Sequence, residues 1–367
     1  MTEAENDFKS RESGENAVRP ALLASPLTMS EYSLYLRRLL IGLADESIPV
    51  ALVCPDELQA RPIVSPTVEI IKHPAINLPF MGKVNRNILV EKLKEFRPTV
   101  IHCLCESQAA LARQVSKQLN VPYLLSINDL SRQTSQLSIS PVRLAKIIAP
   151  SETIAAGIAQ NCPRLADRVK LIKMGTFVSE SAACFSRPGR LASVAAACSV
   201  KEKGDFGKLL SAVKRLAIEG RNILTVIIGD DSDEKPLRSI VSALGMSEIV
   251  SIVPRKEPWR EVLSACDIFI EPHQSNFFNP ILLEALSVGD AVAGCKGDAS
   301  DLIVENQTAA VLEGSDEQNI YNCLRLLIDN PQSARNIAVK AQDFVRKNLT
   351  VSEMVTATID CYRQAQI

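Results

Sequence analysis

The stretch Glu271-Pro-His-Gln-Ser-Asn-Phe-Phe-Asn-Pro-Ile-Leu-Leu-Glu284-Ala-Leu-Ser-Val-Gly289, entered from the apolar run Asp267-Ile-Phe-Ile270, decides how the rest of the chain is read. The apolar run followed by polar residues predicts a short buried strand and a loop. Asn279-Pro280 then predicts a helix start. Asparagine serves as N-cap, and proline takes the first helical position, where its missing amide hydrogen costs nothing. The helix beyond is apolar apart from one carboxylate, Glu284, in its second turn.

Outward from this stretch the same alternation continues in both directions. Strands are expected at 191–197, 223–228, 249–253, 267–271 and 291–294, with helices at 206–218, 237–244, 259–265 and 281–288 between them. In the first half the expected strands are 21–24, Val50–Cys54, Val68–Lys72, 100–105, 123–127, 146–149 and 169–173, with helices through 31–40 and 107–119. Short apolar runs alternating with amphipathic helices are the signature of parallel sheets covered on both faces. Three helical stretches, 318–328, 333–347 and 352–363, end the chain, and the last has no further strand to serve.

A chain of 367 residues can build two domains, each with its own core. The expected division is a polar, disordered tail at 1–19, a first domain at 20–178, a linker at 179–190, a second domain at 191–347 and a closing helix at 348–367. A net charge of −1 excludes a global basic field for nucleic acid, and 4% aromatic residues supply few stacking platforms. No run approaches the length needed to cross a bilayer, and residues 1–19 lack the apolar core of a signal peptide, so a cytoplasmic location is expected. The ten cysteines form no Cys-x-x-Cys pair and sit mostly in apolar runs, as reduced, buried thiols do. His102-Cys-Leu-Cys105 invites a metal reading, but on a strand Cys103 and Cys105 share one face and His102 takes the other. No metal and no cofactor are expected.

The opening stretch resembles the donor-site segment of retaining glycosyltransferases of the family-four type, with the GT-B fold. The resemblance covers nearly all of residues 20–367 and is denser in the second half. Ile227-Ile-Gly-Asp230 is similar to the family's glycine turn, Trp259 to Ile270 to the stretch before the donor loop, and Leu283-Glu-Ala-Leu-Ser-Val-Gly289 to the family's helix motif. The resemblance implies two Rossmann-like, doubly wound parallel-sheet domains facing a cleft, with the C-terminal helix crossing back to the first. It also implies a nucleotide-diphosphate sugar as donor and a glycan or lipid-linked acceptor.

Such transfer needs cations and amides to hold the diphosphate as charge develops on it, and four places that supply them in the family are altered here. The family's arginine-lysine-glycine set is represented by Lys203 and Gly204, with Cys198 at the arginine position. The donor helix starts at Asn279-Pro280, so proline offers no amide and the Asn279 side chain can satisfy the next ones. Of the family's two glutamates, Glu284 keeps the ribose-binding position and Asn276 replaces the sugar-binding one; Phe278 keeps a phenylalanine position, with Phe277 beside it. In the first domain the loop Ser25-Pro-Leu-Thr-Met-Ser-Glu31 has no glycine pair, and Asn128 stands where a histidine near the reacting centre is expected, while His102 matches an earlier, more often structural histidine. His273, two residues after the expected strand, is the best candidate for a substitute polar group, against the favoured alternative of a loop histidine hydrogen-bonded to backbone.

Two readings follow. One is a glycosyltransferase-family protein of a glycan or polysaccharide pathway, a pseudo-enzyme with reduced or lost transfer that acts by ligand or partner binding. The other is an active retaining transferase in which Lys203 and Glu284 hold the nucleotide while Asn276 and Asn128 address the sugar. A third use, self-association or assembly through Phe277, Phe278 and Trp259, requires those rings at the surface. The resemblance also implies association with a membrane surface, at the inner face, through the Arg37-Arg38 helix, for which two arginines are few.

Overall fold

The computed structural model describes residues 17–55, 65–74, 81–131, 139–186, 191–197, 206–229, 231–255 and 259–366. The chain divides into two compact units: residues to Gly175 together with those from Val351 onward, and the contiguous Thr176–Thr350.

The first unit holds a seven-stranded parallel sheet. In chain order its strands are β1 (Pro20–Leu23), β2 (Val50–Cys54), β3 (Val68–Lys72), β4 (Val100–Cys103), β5 (Tyr123–Ser126), β6 (Leu144–Ala149) and β7 (Val169–Leu171), and in space they lie β3-β2-β1-β4-β5-β6-β7. Its helices are α1 (Pro26–Ser30), α2 (Ser33–Asp45), α3 (Gly82–Phe96), α4 (Ala109–Leu119) and α5 (Glu152–Asn161). The central strands β1, β2, β4 and β5 are buried along their whole length, which is why they read as unbroken apolar runs rather than alternating ones.

The second unit repeats the plan with six strands. These are β8 (Ala192–Ala197), β9 (Ile223–Gly229), β10 (Val250–Pro254), β11 (Ile268–Glu271), β12 (Ala291–Cys295) and β13 (Ala309–Leu312), in spatial order β10-β9-β8-β11-β12-β13. Its helices are α6 (Gly207–Ile218), α7 (Asp231–Ala243), α8 (Trp259–Ser264), α9 (Pro280–Val288), α10 (Glu317–Asp329) and α11 (Pro331–Asn348). Among the described residues every strand pair in both sheets is parallel, as expected, and in each sheet the order reverses between the first and fourth strands. A reversal of that kind opens a crevice at the carboxyl ends of the two strands, where α/β domains place their ligands.

The last helix, α12 (Val351–Ala365), packs on α2 and β6 and so completes the first unit. A Cβ on Gly42 of α2 would collide with Val355 of α12, so glycine permits this close approach. Residues 179–186, placed in the expected linker, are strapped into the second unit. Ser179, Ala183 and Cys184 donate backbone hydrogen bonds to Ser287, Val288 and Gly289, and Asp267 accepts from the Phe185 amide at 2.7 Å. Gly289 (φ 84°) ends α9 in the left-handed conformation and lies against Ala182, which fixes it as glycine on two counts.

Candidate functional site

In the second unit the reversal point lies between β8 and β11. The chain leaves β8 at Ala197 toward Cys198, Lys203 and Gly204, which lie outside the described residues. From β11 it leaves at Glu271 into the loop 272–279 and then α9.

Asn279 caps α9 as its sequence predicts, in extended backbone conformation (φ −92°, ψ 104°). Its Oδ1 accepts from both the Ile281 and Leu282 amides, at 2.9 and 3.3 Å. Pro280 has no amide hydrogen, and the Leu283 amide already donates to the Asn279 carbonyl at 3.4 Å. The Asn279 Nδ2 in turn donates to Glu271. The amides that make a helix start attractive to anions are therefore all committed inside this unit.

Glu284, one turn further, is 1% exposed. Its Oε1 accepts from the Thr176 hydroxyl at 2.8 Å, and its Oε2 accepts from the Arg260 guanidinium on α8. Arg260 also donates to the Ser287 hydroxyl at 2.7 Å and to the Phe177 carbonyl at 2.6 Å. Both oxygens of the Glu284 carboxylate thus carry partners from its own unit. The burial of Glu284 gives an incoming ribose no path to them without displacement of a neighbour.

The loop before α9 is fastened to the loop after β12. Asp298 accepts from the Ser275 amide at 3.3 Å and the Ser300 amide at 2.8 Å, and Gln274 Nε2 donates to the Gly297 carbonyl at 2.7 Å. Burial pushes the Asp298 carboxyl above its ordinary range, opposed by its bonds to Ser300 and Ser275. Within this frame Asn276 is exposed and His273 partly exposed, whereas Phe278 is 1% exposed and belongs to the core.

Phe277 and Trp259 are likewise buried, so the assembly surface expected of these three rings is corrected: they fill the interior of their unit. Of the Arg37-Arg38 pair read for a membrane surface, one arginine faces outward. Arg37 is exposed, but Arg38 is buried and donates to the Gly175 carbonyl at 3.4 Å. No helix among the described residues is long and apolar enough to cross a membrane.

Asn128 lies in the first unit, after β5, buried, with its Nδ2 donating to the Leu104 carbonyl at 3.3 Å. His102 is fully enclosed. Its Nδ1 shares a 2.7 Å hydrogen bond with the Tyr362 hydroxyl on α12, and its Nε2 shares one of 2.9 Å with Ser126. Burial lowers its pKa to about 3, so the ring is neutral at physiological pH and holds the last helix in place. Cys103 donates to the Cys105 carbonyl and faces away from that ring.

Site reasoning from sequence does not find Arg260 or Thr176. They lie 24 and 108 positions from Glu284, and no local pattern marks either as its partner.

Residues 197–344 match the model of the family described as Glycosyl transferases group 1. No match was found among curated protein sequences. Solved structures of similar fold include a glycosyltransferase from Rickettsia africae, with TM-score 0.76, 13% identity, and 96% of this chain and 99% of that one covered. Anabaena HepE in complex with UDP-glucose gives TM-score 0.75 at 16% identity, covering 93% of this chain and 98% of that one. Sucrose-phosphate synthase from Thermosynechococcus elongatus gives 0.72 at 14%, covering 95% and 98%. At these identities the likeness to each is one of fold, and the fold is GT-B.

Proposed function

We propose that this chain, whose residues 197–344 match the glycosyl transferases group 1 model and whose fold is GT-B, is a member of that family with reduced or lost nucleotide-sugar transfer that acts by binding a ligand or partner in a glycan pathway. One observation carries the reading. The anion-holding end of α9 and the carboxylate of Glu284 are both satisfied by the unit's own groups. A leaving diphosphate gains from donors that are preorganised and uncommitted; donors already bonded elsewhere contribute only after those bonds are broken. Asn276 supports the same reading, since it meets a sugar hydroxyl as a neutral group and not as a charge.

Calorimetric titration of the full chain with a panel of nucleotide sugars, paired with a turnover assay, tests it. Transfer or hydrolysis of any of them at ordinary enzymatic rates rejects it.

A second reading, an active retaining transferase, draws on the Anabaena HepE structures, which hold UDP and UDP-glucose on a similar fold, and on Lys203-Gly204, which follow β8 in the sequence. Under it, Lys203→Ala and Glu284→Ala each weaken donor binding about tenfold or more, the value of one charge-assisted hydrogen bond.

A further inference from the structure

The first unit contains a cavity of about 340 Å³ that none of the residues above touches. It lies at the amino-terminal ends of β5 and β6, the edge of the sheet opposite the one where α/β domains place their substrates. Asn120 at the end of α4, the run from Val142 to Lys146 entering β6, and Gln364 and Ala365 in the last turn of α12 form its walls.

Four wall side chains can bond: Arg143, Lys146, Asn120 and Gln364. Among the described residues none of the four has a side-chain hydrogen bond or ion pair within the protein. A third cation, Lys170, lies on the neighbouring strand, outside the cavity wall. Ile148 on β6 pairs with Lys170 on β7, and Lys146 lies two residues before Ile148, so Lys146 and Lys170 are diagonal neighbours on one face. Burial raises the Cys361 thiol pKa and the charges of Lys170 and Lys146 oppose it, so both cations face α12. The acid that acts on the same thiol, Asp360, pairs with Arg363 at 3.4 Å.

The wall is built in advance. Arg168 donates to the Leu144 carbonyl at 2.6 Å and to that of Pro141, and the Ser140 amide donates to the Tyr123 hydroxyl at 2.9 Å. Like charges close together on one sheet face repel, and a rigid wall spares a ligand the cost of ordering it. Both conditions favour an anion.

We propose that this cavity binds an anionic group, the phosphate of a small metabolite or the carboxylate of an acidic sugar. Arg143 would meet it with its planar fork, Lys146 would neutralise it with Lys170 adding to the field from the next strand, and Asn120 and Gln364 would bond the polar body attached to it. An occupant would touch β6 and α12 together and so stabilise the union of the last helix with the sheet.

The test titrates the full chain by calorimetry and thermal shift with a hexose phosphate, a uronic acid and a neutral hexose. The parent is compared with Arg143→Gln, Lys146→Gln and Lys203→Ala. The expected result is binding of at least one anionic sugar and not of the neutral one, weakened about tenfold by either of the first two substitutions and unchanged by the third. Preference for the phosphate or for the uronate supports the site and identifies the source of the anion. Failure of both anions to bind, equal binding in the parent, Arg143→Gln and Lys146→Gln, or loss through Lys203→Ala overturns it. Arg143 and Lys146 are partly exposed, and among the described residues their side chains make no hydrogen bond or ion pair, so their replacement leaves the fold able to form. The outcome is independent of whether nucleotide sugars bind the second unit.

Discussion

The carboxylate of Glu284 on α9 is held by the guanidinium of Arg260 on α8, the first 1% exposed and the second 27%. The pair joins two helices of the second unit and, through Thr176 and Phe177, the start of the strap that runs along them. A buried charge that keeps its partner costs little, whereas one that loses it is expensive.

Arg260→Ala is therefore expected to destabilise the protein by about 2–3 kcal/mol, somewhat below the value for a wholly buried pair because Arg260 is partly solvated. Replacing both partners with apolar residues of similar volume should recover most of the loss. Urea denaturation of the two single variants and the double variant measures this; additive losses would show that the pair is not coupled.

Asn279→Ala separates a cap from a donor ligand. Loss of the cap should cost about 1–2 kcal/mol. It also releases the Ile281 and Leu282 amides, so affinity for a nucleoside diphosphate should hold or rise. If Asn279 itself grips a donor, affinity falls instead, and a calorimetric comparison with the parent shows which.

Asp290, at the C-terminal end of α9, is fully buried, and neither carboxyl oxygen has a hydrogen-bond partner. Burial first, and the charge of Asp267 second, push its pKa well above 3.8. The native state thus keeps a proton that the unfolded chain releases above about pH 4, and stability falls as pH rises from there toward the native pKa. Asp290→Asn should remove a slope of about 1.4 kcal/mol per pH unit over that window and raise stability at pH 7. Melting temperature against pH reads it; parallel curves for parent and variant would contradict it.

His102 works in the opposite sense. Its native pKa of about 3 lies below the unfolded value of 6.5, so its contribution is complete above pH 6.5 and is lost as pH falls from there toward 3. His102→Gln should flatten the acid side of the stability curve. Tyr362→Phe, which removes one hydrogen bond and little volume, should cost about 1–2 kcal/mol and speed amide exchange in α12 above that of its neighbours.

What could be read in the sequence was what nearby residues decide. The cap at Asn279-Pro280 involves contacts two and three positions away, and the structure has it as expected. The buried parallel strands were legible because they are apolar throughout, but β13 was not: Ala309-Ala-Val-Leu312 is short and half alanine. Helices α3 and α5 were also missed, the first beginning on Gly82 with a mostly polar face, the second holding Gly157 within an alanine-rich run. Strand alternation sets His102 apart from Cys103, while Cys105 lies beyond the end of β4, and the partner of His102, Tyr362, lies 260 positions away. The surface role given to Phe277, Phe278 and Trp259 failed because a polar neighbourhood in sequence says nothing of how deep a ring sits.

The membership of α12 in the first unit has a consequence for biosynthesis. A chain growing from its amino end completes every strand of that unit by Leu171, yet the helix that covers β6 and bonds His102 is made only after residue 350. The contiguous Thr176–Thr350 can close as soon as it leaves the ribosome. The half translated first is thus the half finished last, and it must stay soluble with an uncovered flank throughout the synthesis of the other.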